Sequence, residues 1–376
     1  MSTPAGPTRS KTQLLRAAVA GAQGEAGRLA ALLALARHFA QLSDGVNGLE
    51  TARQARAIAM ERRDWAAVAH ALNSASVSQY HRSDYVNGLA TAIDAWDAAH
   101  RVGSNALAAE SCYTIALALQ ALGEVDLSQR VVDKGLALAT GDPALRETHV
   151  RLVGLQAMLA FARGRLDETE RHCAEALRLS VGLPHLIELG NGNWGIALLR
   201  AAEQRIERGE PPLDYLARAR EHLAIALDVA DTEGDAMRVA DRLSGLGQVA
   251  LFDGRAEDAE RLLADAMRRS IALDYVRTAV ISARYLAQLH LARGELDRAI
   301  EVLRQADSHA RRGAPVDSLP KVRLMLAGAL ERTGRQSEAA ALREAASELQ
   351  IATQLHRERA AEEARRLAAR VLEGEP

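Results

Sequence analysis

Short polar turns and amphipathic helices alternate along this chain at a fixed spacing. SDYVNGLATAIDAW (83–96), GEVDLSQRVVDKGL (123–136), GRLDETERHCAEAL (164–177), GRAEDAERLLADAM (254–267) and GELDRAIEVLRQAD (294–307) share one pattern. Each opens with Gly or Ser and a polar turn, then runs into a segment with an apolar face at helical period. A small residue follows five positions after the opener, at Gly48, Gly88, Ser128, Thr169, Ala219, Ala259, Ala299 and Ala339. The steps between them are 40, 40, 41, 50, 40, 40 and 40 residues, which marks an internal repeat.

Two further columns keep the same register. Seven positions downstream stand Ala55, Ala95, Gly135, Ala176, Ala226, Ala266, Ala306 and Ala346. Upstream of each turn stand Ala36, Ser76, Ala116, Ala157, Gly195, Gly247, Ala287 and Ala327. Antiparallel helices approach closely only where facing side chains are small. The columns therefore predict tight helical hairpins, with Leu35, Ile115, Leu246, Leu286 and Leu326 filling the grooves beside them. One hairpin cannot bury its apolar face alone, so the hairpins must stack.

The pattern resembles the tetratricopeptide repeat (TPR) family, whose signature is Leu-Gly in helix A and Ala in helix B. Leu246–Gly247 with Gly254, Ala259 and Ala266 match it best, followed by Trp194–Gly195 with Ala219 and Ala226. The resemblance covers residues 25–350 in about eight repeats. It implies an all-α fold, a right-handed α-α superhelix (solenoid) of TPR-like hairpins ending in a long C-terminal helix. The period is 40 rather than the family's usual 34, and the family's aromatic positions are mostly Ala or Leu here. The 40-residue variety is similar to arrays in bacterial regulators.

The division expected is a flexible N-terminus with a short helix at 1–24, the solenoid at 25–350 and a charged helical extension at 351–376. The first ten residues are expected to be disordered, and Lys11–Ala20 to form the short helix. Repeat five is irregular, with 24 residues from Gly195 to Ala219 where other repeats have 12. The extra residues surround ERGEPPLDY (207–215), and its Pro-Pro pair predicts a loop insertion, tolerated or used as a hinge or partner contact. At the C-terminus one helical pattern runs from Ser337 to Leu372, with a narrow stripe at Ala360, Ala364, Leu367 and Val371. That stripe suits either a cap over the last repeat or a signalling helix that pairs two chains.

Composition removes several function classes. Aromatics make up 3% of the chain, which disfavours strands. The net charge of -2 marks no nucleic-acid binder. No stretch has the ~18 consecutive apolar residues of a membrane helix, and MSTPAGPTRSKTQ lacks a signal-peptide core. The expected location is cytoplasmic. Cys112 and Cys173 stand far apart in helical patterns and read as buried thiols. Gly190-Asn-Gly192-Asn-Trp-Gly195 satisfies G-x-G-x-x-G literally, but no strand precedes it and Gly195 already belongs to a packing column. The eleven His residues form no ligand pair, and the resemblance sets His290 where the family has an inward Tyr. No cofactor, metal site or catalytic residue is expected, and the chain reads as a non-enzyme.

The resemblance does imply a binding surface, because TPR arrays line a concave groove with places two, five, nine and twelve of each helix A. Those places hold Asn73, Val77, Tyr80, Tyr113, Leu117, Met158, Phe161, Ile196 and Leu199 in repeats two to five. Repeats six and seven hold Ser244, Gln248, Arg284 and Gln288. Apolar residues there suit an amphipathic or hydrophobic peptide, unless the longer helices curl tightly enough to bury them. The fifth places carry no Lys, which argues against a carboxylate-clamp co-chaperone. The leading reading is a non-catalytic scaffold that binds a protein or peptide partner, regulatory in role. The alternative is the sensory module of a bacterial signalling system, of the diguanylate-cyclase or transcription-regulator type. Its output domain would lie outside this chain, and it would act as a homodimer through the C-terminal helix.

Overall fold

The computed structural model describes residues 10–310 and 319–373. Among them are seventeen α-helices, one 3-10 turn and no strand. The chain is an all-α repeat array. A first helix, α1 (Lys11–Gly21), is followed by eight A–B pairs. These are α2 (Gly24–Gln41) and α3 (Gly45–Glu61), α4 (Trp65–His81) and α5 (Tyr85–Arg101), α6 (Asn105–Ala121) and α7 (Val125–Ala139), and α8 (Arg146–Ala162) and α9 (Leu166–Leu179). The second four are α10 (Pro184–Glu207) and α11 (Tyr215–Glu233), α12 (Ala236–Phe252) and α13 (Ala256–Ala272), α14 (Val276–Ala292) and α15 (Leu296–Ala310), and α16 (Leu319–Arg332) and α17 (Gln336–Glu373). Two compact units result, Met1–His149 with Glu363–Pro376, and Val150–Glu362. Of the ten N-terminal residues expected to be disordered, all but Ser10 lie outside the described residues. Ser10 itself starts α1 with a capping box shared with Gln13.

Every one of the twenty-four column positions is buried. Where a column residue is Ser, it shows how close the two helices run. Ser76 Oγ donates to the Gly88 carbonyl at 2.8 Å, and Ser128 Oγ donates to the Ala116 carbonyl at 2.7 Å. Both bonds join helix A to helix B at the same place in the repeat, side chain directly to backbone. Such approach leaves no room for a larger residue. A Cβ on Gly247 would lie 2.7 Å from Leu263 Cγ and 3.1 Å from the Leu263 nitrogen. The groove-filling Leu35, Ile115, Leu286 and Leu326 are buried, and Leu246 is half-buried. Several helices start on a side-chain cap, including Asp64 on the Ala67 nitrogen and Ser104 on the Leu107 nitrogen.

The repeat-five insertion corrects the loop expectation. Helix α10 has 24 residues where α12 and α14 have 17. Most of the extra chain continues the helix by two turns, and only residues 208–214 form the loop. The Pro pair stops the helix late because the residues before it, AAEQRIE, are good helix formers. Arg205 Nε donates to the Pro211 carbonyl at 2.7 Å and ties the loop back to α10.

The glycine-rich hexad lies wholly inside α10. Its glycines make room for neighbouring side chains. A Cβ at Gly190 would meet Leu177 Cδ2 at 2.8 Å, and one at Gly195 would meet Leu223 Cγ at 2.7 Å. At Gly192 it would collide with the Arg242 guanidinium. The space lets Arg242 Nε reach Glu188 Oε1 at 2.7 Å, while Arg238 takes the other carboxylate oxygen. Glu188 is 1% exposed. Burial pushes its carboxyl up, but Arg238 and Arg242 outweigh burial and hold it below the ordinary carboxylate range. Asp235 caps α12 through the Arg238 nitrogen at 3.0 Å, and burial pushes its carboxyl up to about 6.

Helix α17 is 38 residues long. From Gln350 to Arg359 only Thr353 is even half-buried. Its last turns belong to the first unit. There Ala364, Ala368 and Val371 are buried, with Leu367 half-buried beside them. Arg365 pairs with Glu124 at 3.1 Å and Arg370 with Asp97 at 2.7 Å. Lys134 Nζ donates to the Val371 carbonyl at 2.6 Å and lies 4.7 Å from the Trp96 ring centre. A cation on the last carbonyls suits the negative end of the helix.

Two helical glycines should respond to alanine with opposite signs. Gly247→Ala should lower stability by about 1–2 kcal/mol, because overpacking outweighs the gain in helix propensity. A Cβ at Gly328 would meet nothing within 4 Å, so Gly328→Ala should raise stability by about 1 kcal/mol. Thermal and urea unfolding check both, and equal signs would contradict the close approach at Gly247.

Asp235 gives a pH dependence. Its folded pKa lies above the unfolded 3.8, so the folded state holds the proton more tightly. Its contribution to stability is therefore greatest below pH ~4 and is lost as the pH rises to about 6, by roughly 1–3 kcal/mol. Asn at this position keeps an N-cap and does not titrate. The stability of wild type relative to Asp235→Asn should fall across that window, and a difference independent of pH would refute the assignment.

Candidate partner-binding faces

The nine groove residues expected from the register divide between the units. Asn73, Val77, Tyr80, Tyr113 and Leu117 lie in the first, on α4 and α6; Met158, Phe161, Ile196 and Leu199 lie in the second, on α8 and α10. Val77, Tyr80, Leu117, Met158, Phe161 and Ile196 are half-buried. Three are buried. Leu199 is 0% exposed and packs with Leu198, Leu216, Leu223 and Val249, Asn73 is 1% exposed, and Tyr113 is 9% exposed. Leu199 shares a core with Leu216 and Leu223 of its own partner helix B, α11, and Thr114 of the neighbouring α6 reaches Asn73. Tyr80 leans on Tyr85 across its own hairpin turn, with ring centres 5.5 Å apart.

Side chains also reach across an intervening repeat. In the first unit α4 packs on both α2 and α6. Even so, Arg37 of α2 donates to Glu110 of α6 at 3.2 Å, passing over α4. His70 of α4 approaches the other Glu110 oxygen at 3.4 Å. The Glu110 carboxylate, aided by Glu147, raises the Arg37 guanidinium pKa despite burial. Beneath this bridge Thr114 Oγ1 donates to Asn73 Oδ1 at 3.1 Å. The Asn73 Nδ2 is buried without a hydrogen-bond partner.

The second unit repeats the arrangement with different residues. Arg200 of α10 donates to Tyr285 Oη of α14 at 2.6 Å and to Gln248 Oε1 of α12 at 2.7 Å. It also pairs with Glu203, whose other oxygen accepts from Tyr285 Oη at 2.5 Å. Gln248 continues the network to Ser244, and Ser244 to Ser282 at 2.9 Å. Burial pushes the Glu203 carboxyl up, but Arg200 and Tyr285 outweigh it and leave the pKa low. Burial also pushes the Tyr285 hydroxyl up to about 12, so it stays a donor. Arg200, Glu203 and Tyr285 were not legible as a site. Arg200 and Glu203 lie beyond the twelfth place of helix A, and Tyr285 sits beside a fifth place rather than on it. Gln248 and Arg284 were legible from the register.

Other candidates resolve into packing. Cys112 and Cys173 are buried, and burial pushes both thiols up to about 12. His290 is 4% exposed and its Nδ1 lies 2.7 Å from Glu295 Oε2. Among the described residues no group of three or more His, Cys, Asp or Glu is placed to hold a metal ion. None of the described helices is long and apolar enough to cross a membrane.

Neither a protein-family model nor a curated protein matches this chain. Solved structures do resemble it. The apo form of the quorum sensor NprR from B. thuringiensis is 14% identical, with 89% of this chain and 91% of that one covered at a TM-score of 0.56. A Rap protein complexed with Competence and Sporulation Factor is 15% identical, with 93% of this chain and 99% of that one covered at a TM-score of 0.56. At these identities the likeness is one of fold, and it extends over nearly the whole helical array.

Proposed function

We propose that this chain is a non-catalytic, cytoplasmic regulatory array of the TPR kind that binds a protein or peptide segment on its inner, A-helix faces. The observation that carries the reading is Asn73. Its carboxamide is almost wholly buried, its oxygen is used by Thr114, and its nitrogen has no hydrogen-bond partner among the described residues. A buried donor left unsatisfied costs about 1–3 kcal/mol, a cost that a carbonyl of a bound backbone would remove once the exposed Arg37 side chain releases Glu110 and opens the face. Half-buried Val77 stands one turn along the same helix and Leu117 on the neighbouring one, as apolar anchors beside the polar contact. That a Rap protein of the same fold is seen complexed with Competence and Sporulation Factor supports a bound-factor role.

The rival reading, a signalling module that self-associates through its C-terminal helix, needs a free seam on α17. Ala364, Ala368 and Val371 are instead covered within the chain, and this observation favours the binding reading.

Affinity capture from the source organism's lysate, read by mass spectrometry, tests the proposal. Wild type should retain a partner that Asn73→Ala weakens about tenfold and Leu117→Asp loses, with circular dichroism unchanged. Equal capture by all three folded proteins would refute it.

A further inference from the structure

We infer that the cleft between the B helices α11 and α13 is a docking groove for the basic C-terminal end of an amphipathic helix from a partner protein. This surface is separate from the peptide-binding reading above, because no inner-face place lines it. The cleft is a cavity of about 440 Å³ within the second unit. Leu227 of α11 with Val239 and Leu243 of α12 form its apolar floor. Asp228, Asp231, Asp265 and Arg269 stand at its rim.

The first unit shows what such a groove holds. There the last turns of α17 lie against α5 and α7, which are consecutive B helices as α11 and α13 are. Trp96 and Asp97 follow the column residue Ala95 as Leu227 and Asp228 follow Ala226. Lys134 precedes Gly135 as Asp265 precedes Ala266. Arg370 of α17 pairs with Asp97 at 2.7 Å, and Lys134 donates to the Val371 carbonyl. Ala364, Ala368 and Val371 form the buried seam. A helix with a narrow seam and an arginine in its last turn thus occupies one groove of this kind. The same positions recur around the cavity in the second unit.

Charge decides which helix fits there. Helix α5 ends with His100 and Arg101, whereas α11 ends with Asp228, Asp231 and Glu233 and has no base in its last turn. Carboxylates at the negative end of a helix are unfavourable, and a cation beside them relieves it. Neither Asp228 nor Asp231 makes a side-chain hydrogen bond or ion pair among the described residues. Asp265 is paired with Arg268 and Arg269. Arg269 brings to this rim the cation that Lys134 supplies to the last carbonyls of α17. Two places differ from the first unit. Leu227 is smaller than Trp96, so the seam has room for an aliphatic side chain. Arg255 stands where Glu124 does and is already paired with Asp253 and Asp258, so the counterpart of Arg365 gains nothing here. The partner is a helix with a small or aliphatic seam whose last turns carry basic residues to Asp228 and Asp231.

Fluorescence anisotropy on the full chain tests this, with a labelled, amidated peptide of residues 357–373 as the probe. Wild type should bind it, and should bind the peptide carrying Arg370→Glu about fivefold more weakly, the scale of an exposed ion pair. Arg365→Glu in the peptide should cost nothing. Asp228→Lys should weaken the unmodified peptide by the same factor and restore the Arg370→Glu peptide, an exchange that a merely destabilised protein would not show. Lysine suits the end of α11, so the melting temperature should not fall. Ala224→Trp, at an exposed position lining the cleft, should lose both peptides with the melting temperature unchanged. If wild type does not bind the unmodified peptide, the cleft is not a docking groove. If Asp228→Lys and Ala224→Trp leave binding as it was, the peptide has replaced α17 on the first unit and the inference is equally wrong.

Discussion

Close backbone approach inside each helical hairpin is the constraint on which the rest of this structure depends. Three columns of Ala, Gly, Ser and Thr bring helix A and helix B so near that Ser76 and Ser128 hydrogen-bond straight to the opposite backbone. Alanine columns bury little apolar area per residue, so no single hairpin is stable alone. Stability accumulates from many nearest-neighbour contacts, with Leu, Ile and Val packed in the grooves beside the columns. The A helices of alternate repeats also come within reach of one arginine side chain. Arg37 meets Glu110 over α4, and Arg200 meets Tyr285 over α12. The inner faces are therefore polar bridges with apolar flanks rather than an open apolar trough.

That outcome explains what could be read from the residues and what could not. The hairpins, their 40-residue step and the buried columns follow from spacing, because small side chains at fixed intervals have one simple cause. The inner face is harder. Register says which way a side chain points, and it points Ile196 and Leu199 alike toward the inner side of α10. Ile196 is nonetheless half-buried, while Leu199 is sealed in a core that includes Leu216 and Leu223 of α11. The bridging residues are long and polar, and their partners stand 73 and 85 residues away, a separation at which a single sequence carries no signal. The hexad around Gly192 shows the same limit. Its glycines admit the Arg242 guanidinium to Glu188, a contact between helices that no local motif encodes.

The C-terminal helix was legible in extent but not in partner. Its small-residue stripe is real, and burial falls on Ala368 where the spacing pointed to Leu367. The stripe lies against the chain's own first unit, fixed by two arginine pairs and by Lys134 on the last carbonyls. Narrow seams of this kind suit pairing within a chain as well as between chains. Only the complementary charges Asp97, Glu124 and Lys134 decide between them, and those stand more than two hundred residues upstream.

A double-mutant cycle between Arg200→Met and Tyr285→Phe, read by urea unfolding, tests most directly whether α10 and α14 approach until side chains two repeats apart hold each other. The two groups form a half-buried, charge-assisted contact, so the cycle should return a coupling of about 1–3 kcal/mol. Strictly additive effects would mean that α10 and α14 do not meet in solution. The inner face would then be open, contrary to this account.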